Sequence, residues 1–173
     1  TGVSIMQCKK ALEEAGGDME KALMILKKKS SEIAAKKSDR EVSEGVITVE
    51  RNGNKAVVVE VLCETDFVAK NEDFVNLAKS LAQKAATDGI EAMQAAAPDM
   101  ISPVVQKVGE NIQLGKAFEI TGEVLGSYIH DGKSGAIVSL KGGDETLAKD
   151  IAMQITAMRP EYTTREDIPA DMI

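Results

Sequence analysis

Apolar positions in this chain recur first at helical spacing and then in alternation, and the change falls near Gly45. Ser4 is placed to cap a helix on which Ile5, Cys8, Leu12 and Ala15 form one apolar stripe, and Gly16-Gly17 stops it. Asp18 caps a second helix, with Ala22, Leu23, Ile25 and Leu26 inward and lysines towards its end. Residues 30–43, rich in Ser, Lys, Ala and Glu, read as a helix tail passing into a linker. Beyond Gly45, residues 46–50 and 56–61 read as strands flanking Arg51-Asn52-Gly53-Asn54-Lys55, and Asn-Gly is a strong hairpin signal. A helix follows from about Glu72 to Ala86. Residues 87–115 are Ala-rich and helical in pattern, interrupted by Gly89, Pro98 and Pro103.

The plan then repeats. Residues 122–129 and 135–140 read as strands around His130-Asp131-Gly132-Lys133, with a helix from about Asp144 to Met158. Each unit is strand, turn, strand, helix, which predicts an α+β fold of two similar lobes behind a small helical domain. The expected division is residues 1–40, 41–115 and 116–173, with an acidic, irregular tail after Pro160.

The two copies differ in one place. Gly53 and Phe74 lie 21 positions apart, whereas Gly132 and Leu147 lie 15 apart. The surplus falls on residues 63–71, a connection between strand and helix that carries Phe67 beside Asp66. A phenylalanine there can fold back into its own core or stand outward as a binding anchor, and the local pattern alone slightly favours the core. A loop lengthened in one repeat only is where function concentrates, which favours projection.

Composition narrows the function classes. Apolar residues make up 43% of the chain and aromatic residues 3%, without tryptophan, so the core is aliphatic. No apolar run approaches the ~20 residues needed to cross a bilayer. A net charge of −7 disfavours nucleic acid as a direct ligand. Cys8 and Cys63 lack metal or redox spacing and read as small buried hydrophobes in a reducing compartment. The single histidine, His130, has no Ser or Cys arrangement around it, and no G-x-x-x-x-G-K-[ST] occurs. The chain therefore reads as a binding protein rather than an enzyme, with no cofactor or metal expected.

Three strings carry a resemblance: Met6-Gln7-Cys8-Lys9-Lys10-Ala11-Leu12; Thr65-Asp66-Phe67-Val68-Ala69-Lys70-Asn71; and Gly109-Glu110-Asn111-Ile112 followed by Gly126-Ser127-Tyr128-Ile129-His130 and Ile151-Ala152-Met153-Gln154. In this order, across nearly the whole chain, they resemble the elongation factor Ts family of guanine-nucleotide exchange factors. The resemblance implies a ubiquitin-associated-like three-helix domain whose first helix would precede Thr1, and further strands and a helical module beyond the last residue. It implies elongation factor Tu as partner, a bacterial cytoplasmic or an organellar setting with the cytoplasm preferred, and no direct contact with nucleic acid or membrane; a homodimer is left open.

The resemblance also assigns residues. Residues 65–71 would form the exchange wedge, with Phe67 pushed between helices of the GTPase near its Mg²⁺ and phosphate site and Asp66 in polar contact beside it. Ile5 and Met6 would add contacts from the amino-terminal domain; Ile5 belongs to the apolar stripe, which makes Met6 the stronger candidate. His130, Asp150 and Met153 would face the GTPase's third domain, although some family members carry His at the position of Asp150. Ile151 and Ile155 read as core. The alternative is a non-catalytic interaction subunit that binds the same GTPase without accelerating exchange.

Overall fold

The change of period at Gly45 is a change of layer. The computed structural model describes residues 3–172, so the outer limits of the expected first and last domains, Thr1, Gly2 and Ile173, lie outside the described residues. Helix α1 (Ile5–Glu14) is closed at its start by a reciprocal cap between Ser4 and Gln7. Helix α2 (Met19–Lys37) is capped by Asp18, whose Oδ1 accepts the backbone N–H groups of Glu20 and Lys21 at 3.0 and 3.1 Å. Ala11, Ala22 and Leu26 are buried between the two helices, with Cys8, Leu12, Ala15 and Ile25 half-buried around them.

Two members of the expected stripes face the other way. Ile5 is 89% exposed, lying about 120° of helical rotation from Ala11. Leu23 is also exposed, about 100° from Ala22 and about 60° from Leu26.

The helix tail expected within residues 30–43 runs to Lys37 before the linker begins, and it docks on the next layer. The hydroxyl of buried Ser30 bonds Gln106, Lys27 pairs with Asp99 at 2.8 Å, and Lys37 donates to the carbonyl of Gly109. Ile33 and Ala34 pack against the main core.

That core lies under an antiparallel sheet of order β1-β2-β3, formed by β1 (Glu44–Asn52), β2 (Lys55–Cys63) and β3 (Ile112–Thr121). Val57, Val59, Val61 and Cys63 point inward from β2 onto α3 (Asp66–Ala69) and α4 (Glu72–Asp88), with α5 (Ile90–Val108) behind. The interruption expected at Gly89 separates α4 from α5, whereas those expected at Pro98 and Pro103 do not occur. Pro98 and Pro103 both lie on its exposed side, while Met93, Ala97, Ile101 and Val105 hold the inner face.

Strand β3 is the main departure from the expected layout. It pairs with β2, so the boundary expected after Gly115 falls inside a strand of the first sheet. Its pattern is disguised by a bulge. Opposite Glu60 the register shifts, and the inward positions change from Ile112 and Leu114 to Ala117, leaving Phe118 exposed. The Glu60 carboxylate fills the space above Gly115 and accepts the N–H of Lys116 at 3.0 Å.

The second lobe is smaller. Strands β4 (Val124–His130) and β5 (Ser134–Leu140) form a separate two-stranded sheet covered by α6 (Glu145–Met158). Ala148, Ala152 and Thr156 of α6 are buried, Ile151 is half-buried, and Ile155, expected in the core, is exposed one position from that line. Two short 3-10 turns, Arg165–Asp167 and Ala170–Met172, punctuate an otherwise irregular tail.

A close approach fixes α6 on its sheet. A Cβ at Gly126 would overlap the backbone of Ala148 and Lys149, so only glycine lets helix and strand meet there. Gly126→Ala is expected to destabilise the protein by about 1–3 kcal/mol through overpacking. Urea unfolding would read this as a lower midpoint at unchanged slope; an unchanged midpoint would show that α6 can move away freely.

Candidate functional site

The lengthened connection is a one-turn helix rather than an open loop. The Thr65 hydroxyl accepts the N–H of Val68 at 3.4 Å, and the N–H groups of Ala69 and Lys70 return to the carbonyls of Thr65 and Asp66 at 3.1 and 3.2 Å. Asn71 ends the turn and caps α4 through the N–H of Asp73 at 2.9 Å. In a helical turn successive side chains are rotated by about 100°, so adjacent residues face different directions. Val68 and Ala69 point into the core, at 8% and 6% exposure, while Phe67 is 83% exposed.

This sorts the seven expected wedge residues by role. Val68 and Ala69 cannot offer side-chain surface to a partner; they anchor the turn. Thr65 and Asn71 are its caps. Phe67, Asp66 and Lys70 face outward. Asp66 Oδ2 bonds Lys70 Nζ at 2.8 Å, and that ammonium holds the Asp66 carboxyl below its ordinary range. The carboxylate therefore stays charged at neutral pH, and the pair is lost only as pH falls through the lowered value.

Beneath the turn, the Cys63 thiol donates to the carbonyl of Thr65 at 3.2 Å. Burial, with the nearby Glu110 carboxylate adding to it, pushes Cys63 up to about 11. The native state thus holds this proton more tightly than the unfolded chain does. Its contribution is complete below about pH 9 and is lost as pH rises from there towards about 11. Iodoacetamide at pH 8 is expected to spare Cys63 in the native protein and label it in urea, as peptide mass mapping would show. Labelling of native Cys63 at that pH would contradict this burial.

Two residues that brace the turn have no role in the sequence reading, although they lie within the quoted string Gly109-Glu110-Asn111-Ile112. Glu110 accepts from the backbone of Glu64 and Thr65, and Asn111 is buried and bonded to the chain leaving α2. The spacing to the turn they serve is long, so only the family resemblance carried by that string points towards them.

The second lobe brings another set together. His130 and Met153 line one recess of about 670 Å³ with Tyr128, Thr156 and Arg159, and Tyr128 Oη lies 3.2 Å from His130 Nδ1. Asp150 and Met153 border the adjoining recess with Arg51 and Glu145. Arg51 and Glu145 pair at 2.9 Å across the two lobes. The turn after His130 is pinned to the first sheet: the carbonyl of Gly132 accepts the N–H of Ile47 at 2.6 Å, and Lys133 pairs with Glu44. Ile5 and Met6 both stand outward on α1, on a separate element.

Among the described residues, no group of three or more His, Cys, Asp or Glu side chains is placed to hold a metal ion. No helix there is long and apolar enough to cross a membrane.

Comparison with known proteins agrees with this architecture. The family model described as Elongation factor TS matches residues 64–173. The protein named Elongation factor Ts of Deinococcus deserti is 40% identical over 183 residues, covering all of this chain and 69% of its own length. Those of Pasteurella multocida and Pseudoalteromonas translucida are 44% and 43% identical, again over the whole chain and 62% of their own lengths. The chain thus spans roughly two thirds of the curated relatives it matches. With the family's motifs in order, the match running through both lobes and relatives at about 40% identity, this chain belongs to the elongation factor Ts family.

Proposed function

We propose that this chain binds elongation factor Tu in its GDP-bound state and promotes GDP release, and that Phe67 is the group that does it. The observation carrying this reading is an aromatic side chain held 83% exposed on a short, capped turn whose next two residues, Val68 and Ala69, are buried. A monomeric core gains nothing from that arrangement, whereas an interface gains a large anchor with few rotors to freeze.

A GTPase holds GDP through backbone amides around the phosphates and through Mg²⁺, and both require neighbouring helices to stay in place. A phenyl ring entering between such helices displaces those ligands, with Asp66 supplying a polar contact beside it. Linkage then requires that nucleotide and metal, on rebinding, expel the exchange factor. One turn is far below the ~1,600 Å² of an ordinary stable interface. Ile5 and Met6 on α1, and the recesses carrying His130, Met153 and Asp150, supply the remaining area in this reading. The chain performs no covalent chemistry and needs no cofactor for this role.

Release of a fluorescent GDP analogue from elongation factor Tu, followed with and without the chain, tests the proposal. Acceleration that saturates with concentration is expected. A stable complex with release at its intrinsic rate would favour a non-catalytic interaction subunit instead.

A further inference from the structure

The turn that presents Phe67 is too short to hold itself. A single helical turn fixes several dihedrals for one hydrogen bond, so its formation in isolation is unfavourable. The missing support comes from 46 residues further along the chain. Glu110 follows the left-handed C-cap of α5 at Gly109. Its Oε2 accepts the backbone N–H groups of Glu64 and Thr65 at 3.2 and 3.0 Å, and its Oε1 accepts the Thr65 hydroxyl at 2.6 Å. With its proton committed to Glu110, the Thr65 oxygen keeps its lone pairs for the N–H of Val68, the bond that caps α3.

Glu64 reciprocates. Its Oε1 accepts the N–H of Asn111 at 2.6 Å and pairs with Arg40 at 3.4 Å. Two carboxylates therefore cross between residues 64–65 and 110–111, each holding the other's backbone through charge-assisted bonds. Asn111 extends the clasp by donating to the carbonyls of Ser38 and Arg40. The sheet does not need the Glu110 carboxylate, because the β2–β3 ladder ends at the pair Cys63 and Ile112. What that carboxylate orders is the turn.

We infer that Glu110 is the positioning residue of the exchange turn: it fixes the start of α3 and so sets the direction in which Phe67 points. This rests on the reading of Phe67 as the exchange group, but it can be tested apart from that reading. The chain has no tryptophan, so Phe67→Trp places a sole reporter on the turn. Adding Glu110→Ala is expected to speed the local rotation of the indole in time-resolved anisotropy. Unchanged anisotropy would overturn the inference without reference to any partner.

In the GDP-release assay, Glu110→Ala should lower the maximal rate about tenfold or more, because misplacement of a reacting group is costly. The concentration giving half-maximal effect should change little. Thr65→Ser should behave as the parent and Thr65→Val as Glu110→Ala. Combined with Phe67→Ala, Glu110→Ala should cost nothing further, since it acts through the ring. A further loss of equal size would mark Glu110 as merely structural and overturn the inference. If Glu110→Ala fails to fold, Thr65→Val carries the same comparisons. Should Phe67→Ala leave release unaltered, the proposed function fails, while the anisotropy result still decides the role of Glu110.

Discussion

Replacing Phe67 by alanine is expected to remove most of the accelerated GDP release while leaving the fold intact. Truncating a central aromatic anchor costs about 2 kcal/mol or more of interaction, equivalent to about 30-fold in rate or affinity. The loss should appear mainly in the maximal release rate, because the contacts from α1 and the second lobe remain. The isolated protein should hardly notice the change. An 83% exposed ring contributes little to its own core, and surface substitutions of this kind stay within about 0.5 kcal/mol. Circular dichroism and the unfolding midpoint check the second half of this prediction, and stopped-flow release checks the first. A variant that unfolds would show that the ring supports the core; one that releases GDP at the parent rate would remove Phe67 from the mechanism.

Phe74→Ala, seven residues further on, should give the opposite pattern. Phe74 is fully buried in the cluster of Val57, Val59, Val61, Leu77, Leu81 and Met93. Its truncation leaves a cavity that the surrounding aliphatic side chains fill only in part, at a cost of about 3–5 kcal/mol. Set against a usual stability of about 5–15 kcal/mol, that is a large share. The urea midpoint should fall steeply at unchanged slope. At low temperature, where the variant remains folded, it should still accelerate GDP release, because the outward ring at position 67 is untouched. Loss of release from a demonstrably folded Phe74→Ala protein would mean that the turn depends on the core in a way its hydrogen bonds do not suggest.

These two phenylalanines also show what the sequence could and could not convey. Both follow polar or acidic neighbours, and nothing within three residues tells one from the other. Comparing the two repeats separates them, because the extra residues of the first copy carry Phe67 and not Phe74. Elements bounded by strong local signals are legible in this way: the caps Ser4 and Asp18, and both hairpins. Elements whose signal depends on distant partners were not. Strand β3 was hidden because the bulge at Glu60 shifts which side of it is inward, so the alternation from Ile112 breaks before Ala117. Helix α5 reads as broken in the sequence because Pro98 and Pro103 announce a stop that their exposed placement makes tolerable. Ile5 and Leu23 were misplaced for a related reason: a short helix buries a narrow stripe, and periodicity alone does not locate its edges. The same limit applies to the site. Phe67 was legible from loop length, whereas the grip of Glu110 on Thr65 joins residues 45 positions apart and has no local signature.

The most direct measurement puts a photoreactive group where the ring stands. With p-benzoylphenylalanine at position 67, irradiation of the complex with nucleotide-free elongation factor Tu should yield a cross-link in the GTPase's nucleotide-binding domain, beside its Mg²⁺ and phosphate site. That cross-link should fade as GDP and Mg²⁺ are added back. A complex that forms yet cross-links elsewhere, or one whose cross-link persists undiminished at saturating GDP and Mg²⁺, would contradict the account.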